Sequence, residues 1–265
     1  MFARLRMLGL ALAVPCVFTL GVSMAAQSAQ APVAPKAAEA ASLPSPQSIL
    51  DRYLQAIGGR EAMKKHTSVH VTGTVNVPAS GISGSLETYA ARPNKQLVKM
   101  TLSGIGETLR GFDGTHAWST DPMRGPNLAT GKELEERTLD ADFDSNLNVS
   151  ARYTSMKTLE KTTFDGKECY KVSLTRKDGV EDIDFYDVST GLKAGSINTR
   201  ESGMGKISAT STLREYKKFA DILQPTVVTQ SAMGAEFIMT ITAIEYDKVD
   251  PAVFELPAAI KALVK

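Results

Sequence analysis

Hydrophobic and polar residues alternate along most of the chain after residue 68. Valines take alternate positions from Val69 to Val77, and polar residues stand between them. A period of two is typical of a β-strand with one buried face. Similar strand-length segments follow, separated by tight-turn sequences such as Asp113-Gly114 and Asp165-Gly166. The pattern predicts an antiparallel meander of about ten or eleven strands.

The number of strand segments also predicts the curvature of the sheet. An open twisted sheet rarely exceeds about ten strands before it curls or splits. We therefore expect a single antiparallel sheet that curls towards a barrel. The predicted fold class is mainly β (α+β), with an N-terminal helix and one helix inserted among the strands.

The N-terminal helix is predicted just before the first strand. Ser45 is suited to the N-cap, and Pro46 fits the first turn, where its missing N–H costs no hydrogen bond. Gly58-Gly59 can adopt the left-handed conformation that ends a helix. Apolar residues recur between these signals at spacings of three and four: Ile49, Leu50, Tyr53, Leu54 and Ile57.

The inserted helix is predicted from Thr130 to about Asn148. Thr130 and Glu133 match a capping box, and apolar residues then follow at four-residue steps. Because this helix interrupts the run of strands, we expect it to lie across a face or an opening of the sheet as a lid. Its apolar side carries Leu139, Phe143 and Leu147.

The first residues predict an export signal. Arg4 and Arg6 precede an apolar run over residues 7–22, and the small residues Ser23 and Ala25 follow it. This combination is typical of a secretory signal peptide, here residues 1–25. An uncleaved N-terminal anchor is the alternative. Lipidation at Cys16 is disfavoured because Pro15 stands where a small residue is required.

A linker is predicted between the signal peptide and the folded domain. Residues 26–46 consist mainly of Ala, Pro, Gln and Ser. A segment of this composition buries too little apolar surface to offset the entropy of ordering, so we expect it to be disordered. The folded domain is then expected to comprise residues 47–265.

Composition narrows the classes of function. The chain has 30 Lys and Arg residues against 29 Asp and Glu residues, so its formal charge is only +1. A nucleic-acid-binding protein normally has a clustered basic excess, and that class is not expected here. Two cysteines cannot form a four-thiolate zinc site. Cleavage after Ala25 leaves Cys169 as the only thiol, so no intramolecular disulfide is expected.

Motifs that would indicate catalysis or a metal are incomplete. His66 and His70 have the four-residue spacing of a helical zinc motif, but Thr67 replaces its Glu, and His70 lies in a predicted strand. The acidic residues 140–144 begin like a calcium loop that lacks its glycine and its final Glu. We therefore predict a protein that is not an enzyme and has neither a cofactor nor a metal site.

Several segments together resemble the LolA/LolB-type family of outer-membrane lipoprotein-sorting proteins. The best match is residues 113–122 (DGTHAWSTDP), which combine a hairpin turn, an aromatic strand residue and a closing Asp-Pro turn. Gly58-Gly59, residues 93–95 and residues 186–192 occur in the same order. The resemblance covers residues 47–262. It implies a periplasmic protein with an unclosed β-barrel whose concave apolar face, covered by helices, holds acyl chains.

The resemblance and the apolar pattern together define a candidate site. We expect a periplasmic carrier or binding protein for a lipid or for the acyl chain of a lipoprotein, acting as a monomer. The alternative is a non-catalytic cell-envelope module that has a packed core and binds another envelope protein. The candidate ligand-binding residues lie on the predicted strands and lid helix: Met100, Trp118, Leu139, Phe143, Leu147, Phe237 and Met239.

Overall fold

The structure is a computed structural model that describes residues 42–202 and 205–264. The predicted signal peptide, residues 1–25, and the predicted linker as far as residue 41 lie outside the described residues. The last part of the linker sequence contacts the fold. The carbonyl oxygen of Pro44 accepts a hydrogen bond of 2.8 Å from the hydroxyl group of Thr158.

The described residues form thirteen strands and five short helices. The helices are α1 (Pro46–Ala56), α2 (Gly59–Lys65), α3 (Gly131–Asp140), α4 (Val149–Arg152) and α5 (Ala258–Lys261). The first six strands are β1 (Ser68–Val77), β2 (Ile82–Ala91), β3 (Lys95–Leu102), β4 (Gly106–Phe112), β5 (Ala117–Asp121) and β6 (Gly125–Leu128). The others are β7 (Tyr153–Phe164), β8 (Lys167–Arg176), β9 (Glu181–Asp187), β10 (Lys193–Ser202), β11 (Gly205–Phe219), β12 (Ile222–Ala232) and β13 (Ala235–Tyr246).

All thirteen strands belong to one antiparallel sheet with the order β6-β5-β4-β3-β2-β1-β13-β12-β11-β10-β9-β8-β7. The first and last strands of the chain, β1 and β13, pair at its centre, and β6 and β7 form its two edges. Because the edges do not pair with each other, the barrel is not closed. The mainly β class and the single open sheet predicted from the sequence are confirmed.

The predicted number of strands was too low, and the edge strands explain part of the difference. β6 has four residues and includes Gly125 and Pro126, so it lacks the alternation of a longer strand. β7 has twelve residues, most of them exposed and polar. An edge strand buries little of its side-chain surface, and its hydrophobic pattern is correspondingly weak.

Helix α1 confirms the prediction of an N-terminal helix. The Ser45 hydroxyl oxygen accepts a hydrogen bond of 3.2 Å from the backbone N–H of Ser48, as an N-cap does. Ile49 and Leu50 are buried against β8 and β9, where they meet a cluster of Val172, Leu174 and Tyr186. The face of the sheet that α1 covers is called the inner face below.

The inserted helix is shorter than predicted. α3 ends at Asp140, and turns connect it to α4, so Phe143 and Leu147 are not helical. The carboxylate of Asp142 accepts a hydrogen bond of 2.9 Å from the backbone N–H of Asp144. Such local bonding competes with the helix. The Thr130 side chain forms no capping hydrogen bond, so the predicted capping box is also wrong.

Candidate functional site

A cavity of about 340 Å³ lies between the inner face of the sheet and residues 140–146. Its walls come from α2, from the strands β1, β2, β12 and β13, and from the inserted segment, which contributes polar residues. The apolar residues that line it include Val69, Val71, Ala90, Ile241, Ile244 and Phe143. We call it the apolar cavity. The inserted segment therefore covers the sheet as predicted, but it does so with turns rather than with a helix.

Arg92, which follows β2, holds the inserted segment in place. Its guanidinium forms an ion pair of 2.8 Å with Asp144 and lies over the ring of Phe143, 5.4 Å from the centroid. The same group donates hydrogen bonds to the carbonyl oxygens of His66 and Met63. The backbone N–H of Phe143 donates to the carbonyl oxygen of Pro93 at 3.1 Å. These contacts fix Phe143 at the wall of the apolar cavity.

His66 lies at the edge of the apolar cavity between two carboxylates. Its Nδ1 is 2.7 Å from Asp247 and its Nε2 is 2.8 Å from Asp221, and its ring stacks on Tyr246 with centroids 4.1 Å apart. Burial opposes protonation of His66. The hydrogen bonds to Asp247 and Asp221 outweigh burial and raise its pKa. The His66 ring ties the start of β1 to the turn before β12 and to the end of β13.

The strand register places three of the predicted ligand-binding residues on the inner face. Directly paired residues of an antiparallel sheet point to the same face. Met239 pairs with the inner-face residue Val75, and Phe237 precedes Met239 by two positions. Met100 pairs with Leu86, which in turn pairs with Gly73 of β1. Met100, Phe237 and Met239 are all partly exposed, so they extend the apolar surface of the inner face beyond the cavity.

The structure does not bring all the predicted residues to the cavity. Phe143 lines it, whereas Leu139, at the end of α3, and Leu147, in the following turn, are half-buried outside its lining. Trp118 lies on the opposite face of the sheet. It pairs with Gly111, and a Cβ added to Gly111 would lie 2.3 Å from the indole ring.

A second space of about 290 Å³ lies on the other side of the inserted segment, against β8, β9 and β10. It shares Asp140, Ser145 and Asn146 with the apolar cavity. Because one segment contacts both the central and the distal strands, the sheet curls around it. The polar residues lining this space include Tyr53, Arg152, Tyr153, Asp184, Lys193 and Asn198, and we call it the polar chamber.

The polar chamber was not predicted from the sequence, because the hydrophobic residues of β9 lie on the face opposite the chamber. Ile183 and Phe185 alternate with Asp182 and Asp184. Phe185 is buried on the outer face together with Cys169, so both faces of β9 are covered. The two carboxylates consequently point inwards, and both are buried. The signal in the sequence that could have indicated the chamber is the pair of Asp residues at alternate positions of an otherwise apolar strand.

Within residues 42–202 and 205–264, no group of three or more His, Cys, Asp and Glu side chains is placed to hold a metal ion. No helix in the same ranges has the length and apolar character needed to cross a membrane.

Comparison with known proteins connects this architecture to a fold family. No protein-family model matches the chain, and no curated protein matches its sequence. A LolA superfamily protein from Nitrosomonas europaea matches its structure with a TM-score of 0.53 and 15% identity, over 81% of this chain and 99% of that chain. The chain has a LolA-type fold. The family resemblance inferred from the sequence is therefore confirmed at the level of the fold.

A second solved structure has a similar architecture. A DUF1329 family protein from Desulfovibrio piger matches with a TM-score of 0.56 and 13% identity, over 80% of this chain and 98% of that chain. The two matches cover 80% and 81% of this chain, so the shared fold extends over most of the described domain.

Proposed function

We propose that this LolA-type protein is a periplasmic carrier or binding protein for a lipid or an acylated, lipoprotein-like partner. The observation that carries the proposal is the apolar cavity between the inner face and residues 140–146. Its volume is at the lower end of the range of about 300–1,000 Å³ that is usual for small-molecule sites. A site of this size and lining suits a hydrocarbon chain, because burial of apolar surface drives binding.

The inner face beyond the cavity supports a ligand longer than the cavity itself. Met100 and Met239 are partly exposed there, and methionine side chains adapt to apolar ligands of different shape. Phe237 lies on the same face of β13, two residues before Met239. These three residues therefore remain candidates for contact with the distal part of a chain, whereas Phe143 is the candidate for contact inside the cavity.

The cavity also favours a carrier over the alternative interaction module. A protein that acts only through its outer surface needs no space beneath its inserted segment, and a packed core would be more stable. The periplasmic location follows from the predicted signal peptide, residues 1–25, and from a cargo that resides in the envelope. We propose that the protein acts as a monomer without a cofactor and does not catalyse a reaction.

Binding of a fluorescent fatty acid to the delipidated protein tests the proposal. We expect saturable binding in the micromolar range. Phe143→Asp replaces an apolar ring in the cavity wall with a charged group and should weaken binding by at least about tenfold. Leu159→Asp is the matched control, because Leu159 is 39% exposed on the edge strand β7. Absence of saturable binding, or equal loss in both variants, would contradict the proposal.

A further inference from the structure

The charged groups of the polar chamber are already paired with one another. The Lys193 ammonium lies 2.7 Å from the Asp184 carboxylate, and Arg152 lies 2.6 Å from Asp140. Two cations and two anions thus line the chamber, and their formal charges cancel. A ligand with a net charge would face an opposite charge that already has a partner and a like charge beside it.

Two hydrogen-bond donors in the chamber have no acceptor among the described residues. The Nε of Arg152 is buried and forms no hydrogen bond. The Tyr53 hydroxyl also lacks a hydrogen-bond partner, while its ring packs against Tyr186 with centroids 5.5 Å apart. Burial, with a smaller contribution from Asp184, raises the pKa of Tyr53, so its hydroxyl is a donor at neutral pH. A buried donor without an acceptor, such as the Arg152 Nε, is unfavourable unless a ligand or water satisfies it.

The position of the chamber relates these donors to the apolar cavity. Asp140, Ser145 and Asn146 line both spaces, so the two spaces adjoin at the inserted segment. We propose that the polar chamber binds the uncharged, oxygen-rich head of an amphiphile whose alkyl chain lies in the apolar cavity. Hydroxyl or ester oxygens would accept hydrogen bonds from Tyr53 and Arg152. The inference rests on the proposed function and specifies the class of its ligand.

A series of ligands that differ only in the head group tests the inference. The probes are monolaurin, laurate and dodecyltrimethylammonium, which have chains of similar length and neutral, anionic and cationic heads. Isothermal titration calorimetry below their aggregation concentrations gives the affinities. We expect monolaurin to bind at least about tenfold more tightly than either charged probe, because an additional buried charge lacks a free counter-charge in the chamber.

A conservative variant separates the head site from the chain site. Tyr53→Phe removes one donor and keeps the ring, so affinity for monolaurin should fall by about three- to tenfold while affinity for laurate stays unchanged. Tyr170→Phe is the matched control, because Tyr170 lies outside the chamber beside Lys161. Its affinities should equal those of the wild-type protein.

The outcomes distinguish this inference from the function on which it rests. Equal affinities for the three probes, or equal effects of Tyr53→Phe on monolaurin and laurate, would overturn the head-group site and leave the apolar cavity supported. Failure of all three probes to bind would overturn both proposals. Preference for monolaurin that Tyr53→Phe reduces selectively supports the assignment.

Discussion

His66 and Asp247 form a hydrogen bond of 2.7 Å that joins a residue two positions before β1 to the residue after β13. The other oxygen of Asp247 accepts hydrogen bonds from the backbone N–H groups of Thr67 and Ser68. These contacts tie together the ends of the two strands that lie at the centre of the sheet and contribute walls to the apolar cavity. The cluster combines an imidazolium with carboxylates, so its contribution to stability depends on pH.

The His66–Asp247 contact should make stability depend on pH in two windows. The pKa of His66 is raised above 6.5 in the folded state, so its contribution is full below about pH 6.5 and is lost as the pH rises through the folded-state value. Burial opposes ionisation of Asp247, but hydrogen bonds from Thr67 and His66 lower its pKa to about 2 from 3.8. Its contribution is therefore present above pH 3.8 and is lost as the pH falls towards 2.

Urea unfolding of the wild-type protein and of His66→Asn between pH 5 and pH 9 measures the first window. We expect the variant to lose about 1 kcal/mol at pH 5, a modest value because solvent reaches the Asp247 carboxylate. The difference between the two proteins should shrink as the pH rises. A difference that stays constant over this range would show that His66 contributes through packing on Tyr246 rather than through its charge.

Arg92 should control the mobility of the inserted segment. It is the residue that contacts both Asp144 and Phe143, so Arg92→Met removes the ion pair and the contact over the ring. We expect faster amide exchange in residues 141–148, measured by hydrogen–deuterium exchange, and a loss of about 1–3 kcal/mol of stability.

The matched control for this prediction is Arg124→Met. Arg124 is exposed in the turn between β5 and β6, distant in the chain from the inserted segment. Its exchange pattern in residues 141–148 should match that of the wild-type protein. Unchanged exchange in Arg92→Met would mean that other contacts, such as the hydrogen bond from Phe143 to Pro93, suffice to hold the segment.

Local signals in the sequence were sufficient to predict several elements. Ser45, Pro46 and the apolar stripe determine α1 within one short segment, and the structure confirms both the cap and the buried face. The alternation from Val69 to Val77 likewise predicts β1, because one side of that strand is buried and the other is not. Such features depend on neighbouring residues and therefore appear in the sequence pattern.

Features set by distant residues could not be predicted in the same way. The end of α3 depends partly on Arg92 and Pro93, which bind Asp144 and Phe143 from far along the chain. The sequence shows only that Trp118 is an aromatic residue in a strand. Its pairing with Gly111 in the sheet places it on the outer face. The role of Asp184 in the polar chamber depends on its contacts with Lys193 and Tyr186, which the sequence pattern does not show.

The pair of Asp184 and Lys193 should show strong energetic coupling. Asp184 is only 6% exposed, forms an ion pair with Lys193 and accepts a hydrogen bond from the Tyr186 hydroxyl. Lys193→Met leaves a buried carboxylate without its counter-charge, which costs about 3–5 kcal/mol. Asp184→Leu leaves the ammonium unpaired, but Lys193 is 23% exposed and reaches solvent more easily, so the loss should be smaller.

The double variant Asp184→Leu/Lys193→Met tests whether the loss of stability in the single variants comes from the unpaired charges. With both charges removed no unpaired ion remains, so the double variant should be more stable than Lys193→Met alone. Denaturant unfolding of the four proteins at pH 7 gives the coupling free energy. Additive losses would show that each side chain acts through separate contacts. A large coupling would instead indicate that the polar chamber keeps its shape because its ions neutralise each other, leaving Tyr53 and Arg152 as the donors available to a ligand.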